Sequence, residues 1–325
     1  MKEIRLWYTQ PGPGDYTDRF LTPLLSRRYK IVLNPCEPDY VISSCGRATG
    51  RSYHFDHPDA VKIFYAGENV APDFNLFDYG IGFHYIDFGD RYLRYPLWLF
   101  YLGAMGTARC LPPDAAAASE RKFCNFVYSN QKHGDPVRSE LFRKLSAYRN
   151  VDSGGAFLNN LGYRVADKPE FLKGYKFTIA AENSSAEGYT TEKLIEPLMR
   201  GSMPVYWGDP AIENSEFDTA AFVVVKDIDA AVEEVRRLDN DSDAYYEKLS
   251  GTIFRDGSPA EVLAGYEERL LDFFGNIFER SKQEAYRRPR YGFNKTLTRN
   301  AERMQRTADS WWFGKWHGLK DKLKL

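Results

Sequence analysis

Carboxylate, carboxamide, phenol and ammonium groups lie close together in one segment of the sequence. An apolar run over residues 177–181 ends in Glu182 and Asn183, and Tyr189, Glu192 and Lys193 follow shortly after. Loops at the carboxyl ends of strands in open α/β sheets are where nucleotides bind. These side chains therefore predict a site for a nucleotide or a nucleotide-linked substrate.

The flanking residues predict the elements that hold this segment in place. Thr190 and Thr191 offer hydroxyl groups that can cap the amino terminus of a helix, and Glu192 falls in its first turn. Leucine and isoleucine at positions 194, 195 and 198 give that helix one apolar face, and Gly201 ends it. Because a second apolar run over residues 203–207 follows, the order is strand, polar loop, helix and strand.

This segment resembles the signature of glycosyltransferase family 10, the α1,3/4-fucosyltransferases. The family pattern is Phe-x-x-x-x-Glu-Asn-Ser, then Tyr-x-Thr-Glu-Lys, then Pro-x-x-x-Gly. In this sequence the pattern is filled by Phe177, Glu182, Asn183, Ser184, Tyr189, Thr191, Glu192, Lys193, Pro204 and Gly208. An upstream block over residues 64–94, with Gly67-Glu68-Asn69 at the end of an apolar run, is similar to the bacterial branch of the same family.

The resemblance implies a fold, a donor and an acceptor. We expect an α/β protein of the GT-B type, with two Rossmann-like domains facing a cleft and a basic helical tail at the carboxyl end. The expected reaction is inverting transfer of L-fucose from GDP-fucose to the 3-hydroxyl of GlcNAc. The expected acceptors are Galβ1-4GlcNAc-type glycans of the LacNAc and Lewis x kind, as in lipopolysaccharide or glycoproteins.

A transfer of this kind needs a base for the acceptor hydroxyl, and Glu68 is the candidate. It follows an apolar strand, between Gly67 and Asn69, where the backbone can turn toward a cleft. A carboxylate there can take the acceptor proton if it comes within about 3 Å of the hydroxyl. The resemblance implies that this glutamate is the general base. The alternative is a loop carboxylate in a salt bridge or a helix cap.

Two cations are the candidates for stabilising the leaving diphosphate. Arg138 and Lys193 each fall in the first turn of a predicted helix that follows a strand. Backbone amides and the positive end of the helix dipole point the same way there. A guanidinium can hold a phosphate through two hydrogen bonds, and a lysine adds a point charge. The alternative for each residue is a solvated charge at a helix end.

The resemblance also implies donor contacts for three neighbouring residues. Glu192 is expected to accept hydrogen bonds from the nucleotide ribose, and Asn183 and Tyr189 are expected to contact the donor. The alternative for Glu192 is an acid that the helix dipole stabilises, worth about 0.5 kcal/mol, and both descriptions can hold together. Glu182, next to Asn183, is expected to hold the loop instead.

The composition indicates a globular protein of a reducing compartment. Of the 325 residues, 43% are hydrophobic and 27% are charged, which are globular values. The length suits two domains. The four scattered cysteines fit neither a zinc site nor a disulfide framework. Since we recognise no signal peptide and no apolar run long enough to span a bilayer, we expect a bacterial, cytoplasmic protein.

The alternation of strand-like and helix-like segments predicts parallel sheets with both faces covered. We expect an N-terminal Rossmann-like domain on the acceptor side over residues 1–115. A GDP-fucose-binding domain should follow over residues 116–270, and a helical basic tail over residues 271–325.

The carboxyl-terminal residues combine tryptophan, leucine and lysine in a helical pattern. Trp312, Trp316, Leu319 and Leu323 recur on one helical face. From Ser281 onward, 12 Lys and Arg residues stand against 4 Asp and Glu residues. This pattern predicts an interfacial helix on an anionic inner-membrane surface, and so a protein peripheral on the inner face of the membrane. The alternative is a terminal helix that packs its tryptophans on the body of the protein.

The sequence offers no convincing set of metal ligands. Asp239 and Asp241 form the Asp-x-Asp pattern that holds a metal in other glycosyltransferases, but they stand between two predicted helices, where polar residues usually form a turn. We therefore expect no required cofactor, with Mn²⁺ or Mg²⁺ at most stimulating the reaction, and no nucleic acid partner. Two other functions stay open: another nucleotide-sugar-dependent GT-B glycosyltransferase, and a non-catalytic glycan- or membrane-binding protein.

Overall fold

The computed structural model describes residues 1–10, 14–45, 55–129, 134–289 and 291–308. The chain divides into two compact units. The first unit holds residues 1–82, 86–95 and those from 267 onward, and the second holds residues 83–85 and 96–266. The predicted stripe from Trp312 to Leu323 lies outside the described residues.

A parallel sheet of six strands forms the centre of the first unit. Its strands are β1 (Glu3–Gln10), β2 (Lys30–Leu33), β3 (Tyr40–Ser44), β4 (Val61–Tyr65), β5 (Tyr79–Gly82) and β6 (Tyr92–Arg94), in the spatial order β2-β1-β3-β4-β5-β6. The register places Trp7, Val41 and Lys62 side by side on β1, β3 and β4. β3 and β4 are buried along their whole length, as expected for inner strands of a parallel sheet that is covered on both faces.

The two faces of this first sheet differ in character, because successive side chains of a strand point to opposite faces. On one face, Tyr8 shares a hydrogen bond with Thr22 of α1 (Tyr16–Leu25), and Tyr40 packs against Phe278 of α9 (Pro259–Phe278). The opposite face carries Trp7 and the buried Lys62. The chain after α9 continues through α10 (Lys282–Ala285) and α11 (Phe293–Ala308).

A parallel sheet of five strands forms the centre of the second unit. Its strands are β7 (Lys122–Phe126), β8 (Val151–Ser153), β9 (Tyr175–Ala181), β10 (Met203–Trp207) and β11 (Val223–Val224), in the spatial order β11-β10-β9-β7-β8. β9 lies in the middle and is buried throughout. Since each unit has its own parallel sheet, the predicted α/β class with two Rossmann-like domains is confirmed.

Helices surround this second sheet. They are α2 (Leu97–Met105), α3 (Ala115–Ser119), α4 (Val137–Tyr148), α5 (Lys168–Lys173), α6 (Glu192–Met199), α7 (Ile228–Asn240), α8 (Ser242–Ser250) and the first part of α9. Thr191 caps α6, as its position in the sequence predicts, and Asp227 caps α7 in the same way. Within the described ranges, no helix combines the length and the apolar character that crossing a bilayer requires.

Candidate active site

Three elements of the second unit meet at the carboxyl end of β9. Glu182 and Asn183 follow β9 directly, and the amide of Asp135, just before α4, donates to the Asn183 carbonyl at 3.1 Å. Thr191, which caps α6, donates its own amide to the Glu182 carboxylate at 2.8 Å. The first turns of α4 and α6, with Arg138 and Lys193, are therefore anchored to the same strand end, the edge where open α/β sheets bind ligands.

Arg138 is held against this strand end by neutral groups. Its Nε donates to the Ala181 carbonyl at 3.1 Å, and its Nη2 donates to the side-chain oxygen of Asn183. The guanidinium carbon lies 4.5 Å from the centre of the Tyr128 ring. The residue is only 3% exposed. Because none of these three partners is a carboxylate, they orient the guanidinium without cancelling its positive charge.

Tyr128 supports Arg138, and the sequence analysis missed it. Its hydroxyl accepts a hydrogen bond from the Ala181 amide at 2.7 Å and lies 3.0 Å from the Ile179 carbonyl. Burial raises the pKa of Tyr128 to about 12, with the nearby Arg138 charge opposing it, so the hydroxyl is protonated at neutral pH. The cation–π contact is worth about 0.5–2 kcal/mol. The sequence feature that could have identified Tyr128 is its position as an aromatic residue between strand β7 and a polar loop.

Lys193 lies between two carboxylates. Its Nζ is 2.9 Å from Glu192 Oε1, 3.2 Å from Glu182 Oε2 and 3.2 Å from Thr191 Oγ1. Burial by itself lowers the pKa of the Lys193 ammonium, but the charges of Glu182 and Glu192 outweigh it and raise that pKa above its ordinary value. The ammonium is therefore a permanent charge at neutral pH.

Glu182 stands fully buried at the centre of this cluster. Besides the Thr191 amide, it accepts the Thr191 hydroxyl at 2.8 Å. A Cβ on Gly208 would collide with the Glu182 Cγ, so the glycine of the signature gives this side chain its room. Burial raises the pKa of Glu182, while Lys193 acts in the opposite direction.

Glu192 has a different balance of forces. Burial raises its pKa, but Lys193 and Lys168 together reverse that effect, and the net pKa of Glu192 lies below its ordinary value. Lys168 of α5 also pairs with Glu196 at 2.6 Å. The sequence analysis missed Lys168, and we find no local pattern that would have identified it.

Tyr189 and Glu68, the two other residues that the sequence predicts for the site, lie outside the contacts described above. Tyr189 is 2% exposed, and its ring centre lies 5.0 Å from that of Phe83. Glu68 belongs to the first unit, where it is exposed just after β4, and its carbonyl accepts the Val70 amide at 2.7 Å. The second unit thus brings together Arg138, Asn183, Glu192 and Lys193.

The predicted Asp-x-Asp pair is occupied by protein contacts. Asp239 pairs with Lys176 at 2.7 Å and with Arg149 at 3.0 Å, and Asp241 caps α8 by accepting the Ala244 amide at 3.0 Å. In the described parts of the chain, no three side chains of His, Cys, Asp or Glu are grouped so that they could hold a metal. Arg138 and Lys193 are instead the groups that could hold an anion such as a diphosphate.

Two family models match most of this chain. The model of the alpha-(1,3)-fucosyltransferase FucT N-terminal domain matches residues 6–101, and the model of the glycosyltransferase family 10 (fucosyltransferase) C-terminal region matches residues 117–250. Both lie in ranges where the sequence pattern predicted a separate domain.

Relatives with known names agree with these matches. The chain is 31% identical over 313 residues to the alpha-(1,3)-fucosyltransferase FucT of Helicobacter pylori, with 84% of this chain and 64% of that protein covered. It is 30% identical over 245 residues to the human GDP-fucose protein O-fucosyltransferase 3, with 67% of this chain and 47% of that protein covered. The chain therefore spans less than two thirds of the length of these relatives.

A solved structure of an alpha1,3-fucosyltransferase with GDP-fucose resembles this chain in three dimensions. The TM-score is 0.67 at 30% sequence identity, with 86% of this chain and 92% of that chain covered. A second solved structure of an alpha1,3-fucosyltransferase gives a TM-score of 0.68 at 28% identity, with 83% of this chain and 90% of that chain covered.

Proposed function

Because the chain belongs to glycosyltransferase family 10, we propose that it is an α1,3-fucosyltransferase that takes L-fucose from GDP-fucose. One observation carries this proposal. A buried arginine among neutral groups and a partly buried lysine between two carboxylates are anchored to the same end of β9. Fixed cations at such an edge stabilise a leaving diphosphate, whose negative charge grows as its bond to the sugar breaks.

The proposed reaction inverts the configuration of the transferred fucose. The acceptor oxygen bonds to the anomeric carbon while its proton passes to Glu68 as general base. The bond from that carbon to the diphosphate breaks, and its electron pair leaves with GDP, beside Arg138 and Lys193. Glu192 accepts hydrogen bonds from the ribose hydroxyls.

Asn183 and Tyr189 complete the proposed donor site. The contact from Arg138 to the Asn183 side chain supports a role for Asn183 in aligning the guanidinium. Tyr189 is almost fully buried, so we propose that it shapes the donor site through packing and its polar tip. A Tyr189→Phe variant that keeps the KM for GDP-fucose unchanged would limit that role to packing.

Glu68→Gln tests the proposed base. The variant should keep GDP affinity, which calorimetry measures, and lose transfer by about 10²- to 10⁴-fold, the usual worth of general base catalysis. Glu37→Gln, an exposed glutamate of the same unit, is the matched control and should behave as the unaltered protein does. Near-normal turnover in Glu68→Gln would remove this residue from the mechanism.

We propose that the acceptor is the 3-hydroxyl of GlcNAc in Galβ1-4GlcNAc-type glycans. The likeness to the Helicobacter pylori enzyme named above supports an α1,3 linkage, and the resemblance of the sequence to family 10 implies the glycan acceptor. The test is a panel of LacNAc-type and other glycans with GDP-fucose, followed by linkage analysis of the products. GDP-mannose and UDP-sugars in the same assay distinguish this donor from those of other nucleotide-sugar transferases.

A protein acceptor is the second candidate. The 30% identity to the human GDP-fucose protein O-fucosyltransferase 3 favours it. Peptides with serine and threonine belong in the same panel, with mass spectrometry to locate any fucose. Transfer to peptides and none to GlcNAc glycans would replace the first candidate by the second.

We also propose that the residues after 308 attach the protein to the inner face of the cytoplasmic membrane. The tryptophan and leucine stripe with its lysines supports this, since each lysine near an anionic surface adds about 1 kcal/mol and tryptophan favours the interface. Sedimentation with phosphatidylglycerol vesicles should pull down the full chain, more at low salt than at high salt, and leave a chain ending at residue 308 in solution. Equal behaviour of both chains would reject the attachment.

A further inference from the structure

The first unit contains a cavity. None of the residues proposed for fucosyl transfer lines this cavity. Its volume is about 1030 Å³, and it lies against the face of the first sheet that carries Trp7, Thr9 and Lys62. The chain that follows α9 forms its other wall through Tyr286 and Arg288, together with α11. A volume of this size lies at the upper end of the range of small-molecule sites.

We propose that this cavity binds a small organic anion that carries a ring. Its carboxylate or phosphate would lie beside Lys62 and Arg288, and its ring between the aromatic walls. The proposal is independent of the fucosyl transfer proposed above.

Lys62 is the first reason for an anion. It sits in the middle of the sheet, level with Trp7, and is 3% exposed. Inner strands of a covered parallel sheet usually carry apolar side chains there, so a lysine at this position is unusual. A lysine that lines a cavity at such a position can meet an oxyanion through a charge-assisted hydrogen bond.

Arg288 adds a second positive charge to the same wall. Its guanidinium is fixed by the Ala60 carbonyl at 2.7 Å and by Asp78 at 3.0 Å. Its charge acts on Lys62 and disfavours the ammonium form. Two cations that repel each other across one cavity are both stabilised when an oxyanion enters.

The carboxylates around the cavity already have strong partners. Asp78 also accepts the amides of Arg287 and Arg288 at 2.8 and 2.7 Å. Glu302 accepts from Arg306 Nε at 3.0 Å. Asp56 is exposed. Asp78, Asp56 and Glu302 act on the Lys62 charge in the direction opposite to Arg288. The described lining residues still carry three cations, Lys62, Arg288 and Arg306, against the two carboxylates of Asp56 and Glu302.

Three rings explain why the anion should carry a ring of its own. Trp7, Phe55 and Tyr286 line the cavity, and aromatic faces and edges attract flat rings in stacked or edge-on arrangements. An inorganic anion would leave these surfaces in contact with water. A benzoate or a phenyl phosphate combines a ring for contact with these aromatic walls and an oxyanion for Lys62.

The cavity also connects α11 to the sheet. Thr298, Glu302 and Arg306 recur every four residues, so one face of α11 lines the cavity. A ligand held between this face and Lys62 binds only the form in which α11 is in place. Such a ligand raises the stability of that form in proportion to the logarithm of its concentration.

The protonation of Lys62 gives the proposal a measurable signature. Burial and Arg288 hold the pKa of Lys62 at about 7, below its ordinary 10.5. A bound anion favours the charged form, so binding above neutral pH should take up a proton. Among the described residues, the titratable and charged groups around Lys62 are Asp56, His57, Asp78, Tyr286, Arg288, Glu302 and Arg306.

Calorimetry on the full chain tests the site with four probes: benzoate, phenyl phosphate, inorganic phosphate and benzyl alcohol. The two ring-bearing anions should bind at least about tenfold more tightly than inorganic phosphate or benzyl alcohol, which each lack one half of the proposed ligand. Benzoate against phenyl phosphate distinguishes a carboxylate from a phosphate ligand. No binding of either ring-bearing anion, or equal binding of benzyl alcohol, overturns the proposal.

Lys62→Met is the decisive variant, since methionine keeps the length and removes the charge. It should weaken benzoate binding by about tenfold to a hundredfold, the worth of a charge-assisted hydrogen bond. Lys30→Met removes an exposed lysine of the same sheet and should leave the affinity unchanged. GDP binding by Lys62→Met must stay normal, which shows that the variant is folded and keeps this test separate from that of the transferase. Unchanged benzoate affinity in Lys62→Met overturns the proposal.

Proton uptake is the second readout. Titrations at about pH 8, in buffers that differ in ionisation enthalpy, should show uptake approaching one proton per bound benzoate. The uptake should vanish in Lys62→Met and persist in His57→Asn, because the proton belongs to the lysine. Uptake that vanishes in His57→Asn instead would contradict the assignment to Lys62.

Discussion

Lys193 in the second unit and Lys62 in the first unit are both withdrawn from water, yet their pKa values move in opposite directions. The Lys193 ammonium touches Glu182 and Glu192, and their charges raise its pKa. Lys62 has acidic groups in its surroundings too, but burial and the charge of Arg288 lower its pKa to about 7. The balance between neighbouring charges and burial, and not burial by itself, decides whether a buried amine stays charged.

The difference suits the two amines to different tasks. The contacts with Glu182 and Glu192 offset part of the Lys193 charge, but they hold the ammonium protonated and in place as a donor to a diphosphate, as electrostatic preorganisation requires. Lys62 changes its charge near neutral pH, so its affinity for an anion should depend on pH. Five predictions test this contrast.

Removing the permanent charge should have the largest effect. Lys193→Met should lower the kcat for fucosyl transfer by about 10²- to 10³-fold, because one donor to a developing negative charge is worth that much. Lys62→Met should change kcat by less than about twofold. The measurement is steady-state kinetics with GDP-fucose and a LacNAc acceptor, after thermal unfolding has shown that both variants are folded. Equal losses in the two variants would contradict the contrast.

The second largest effect should be a loss of stability in Glu182→Gln. The substitution leaves the Lys193 ammonium with one carboxylate partner. It also puts a neutral amide where the buried Glu182 carboxylate contacts a cation. Together these changes should lower the free energy of unfolding by roughly 3 kcal/mol. Glu279→Gln, an exposed partner of Lys2, is the control and should cost less than about 1 kcal/mol. Urea unfolding gives both values.

A double variant shows whether the Glu182 effect passes through Lys193. Glu182→Gln combined with Lys193→Met should cost less than the two single variants added together, because Glu182→Gln removes a carboxylate that Lys193→Met leaves without its ammonium partner. Simple additivity would mean that Glu182 acts only through Thr191.

The pH dependence of stability separates the two lysines further. Between about pH 7 and 10.5, the unfolded chain holds a proton at Lys62 that the folded chain lacks. Lys62 therefore lowers stability most at and below pH 7, and this cost declines as pH rises, by at most about 1.4 kcal/mol per pH unit. The stability advantage of Lys62→Met over the unaltered protein should shrink by roughly 1–2 kcal/mol from pH 7 to pH 9. A constant advantage would show that Lys62 is charged throughout.

EDTA should have the smallest effect, a change in transfer of less than about twofold. Lys176 is another buried lysine, and its direct contact with Asp239 occupies one of the two acids that the sequence offers for a metal. Because Arg138 and Lys193 are proposed to neutralise the diphosphate, a divalent cation should at most stimulate. Complete loss with EDTA, restored by Mn²⁺, would reject that assignment.

Local patterns in the sequence determined much of the second-unit site. The apolar runs at residues 177–181 and 203–207 form β9 and β10, and Thr191 caps α6 with Lys193 in its first turn. Strand period, helix period and capping involve residues a few positions apart, so the sequence displays them directly. The same local logic placed Arg138 in the first turn of α4.

Only the tertiary structure decided what surrounds these side chains. Tyr128 lies under Arg138 because β7 and β9 are neighbours in the sheet, although they are some fifty residues apart in the chain. In the sequence, Lys62 is one polar residue in an apolar strand. Its cavity depends on Arg288 and α11, which come from more than two hundred residues further along the chain. Burial and electrostatic contacts depend on distances in space, and no local pattern contains partners that folding brings from the other end of the chain.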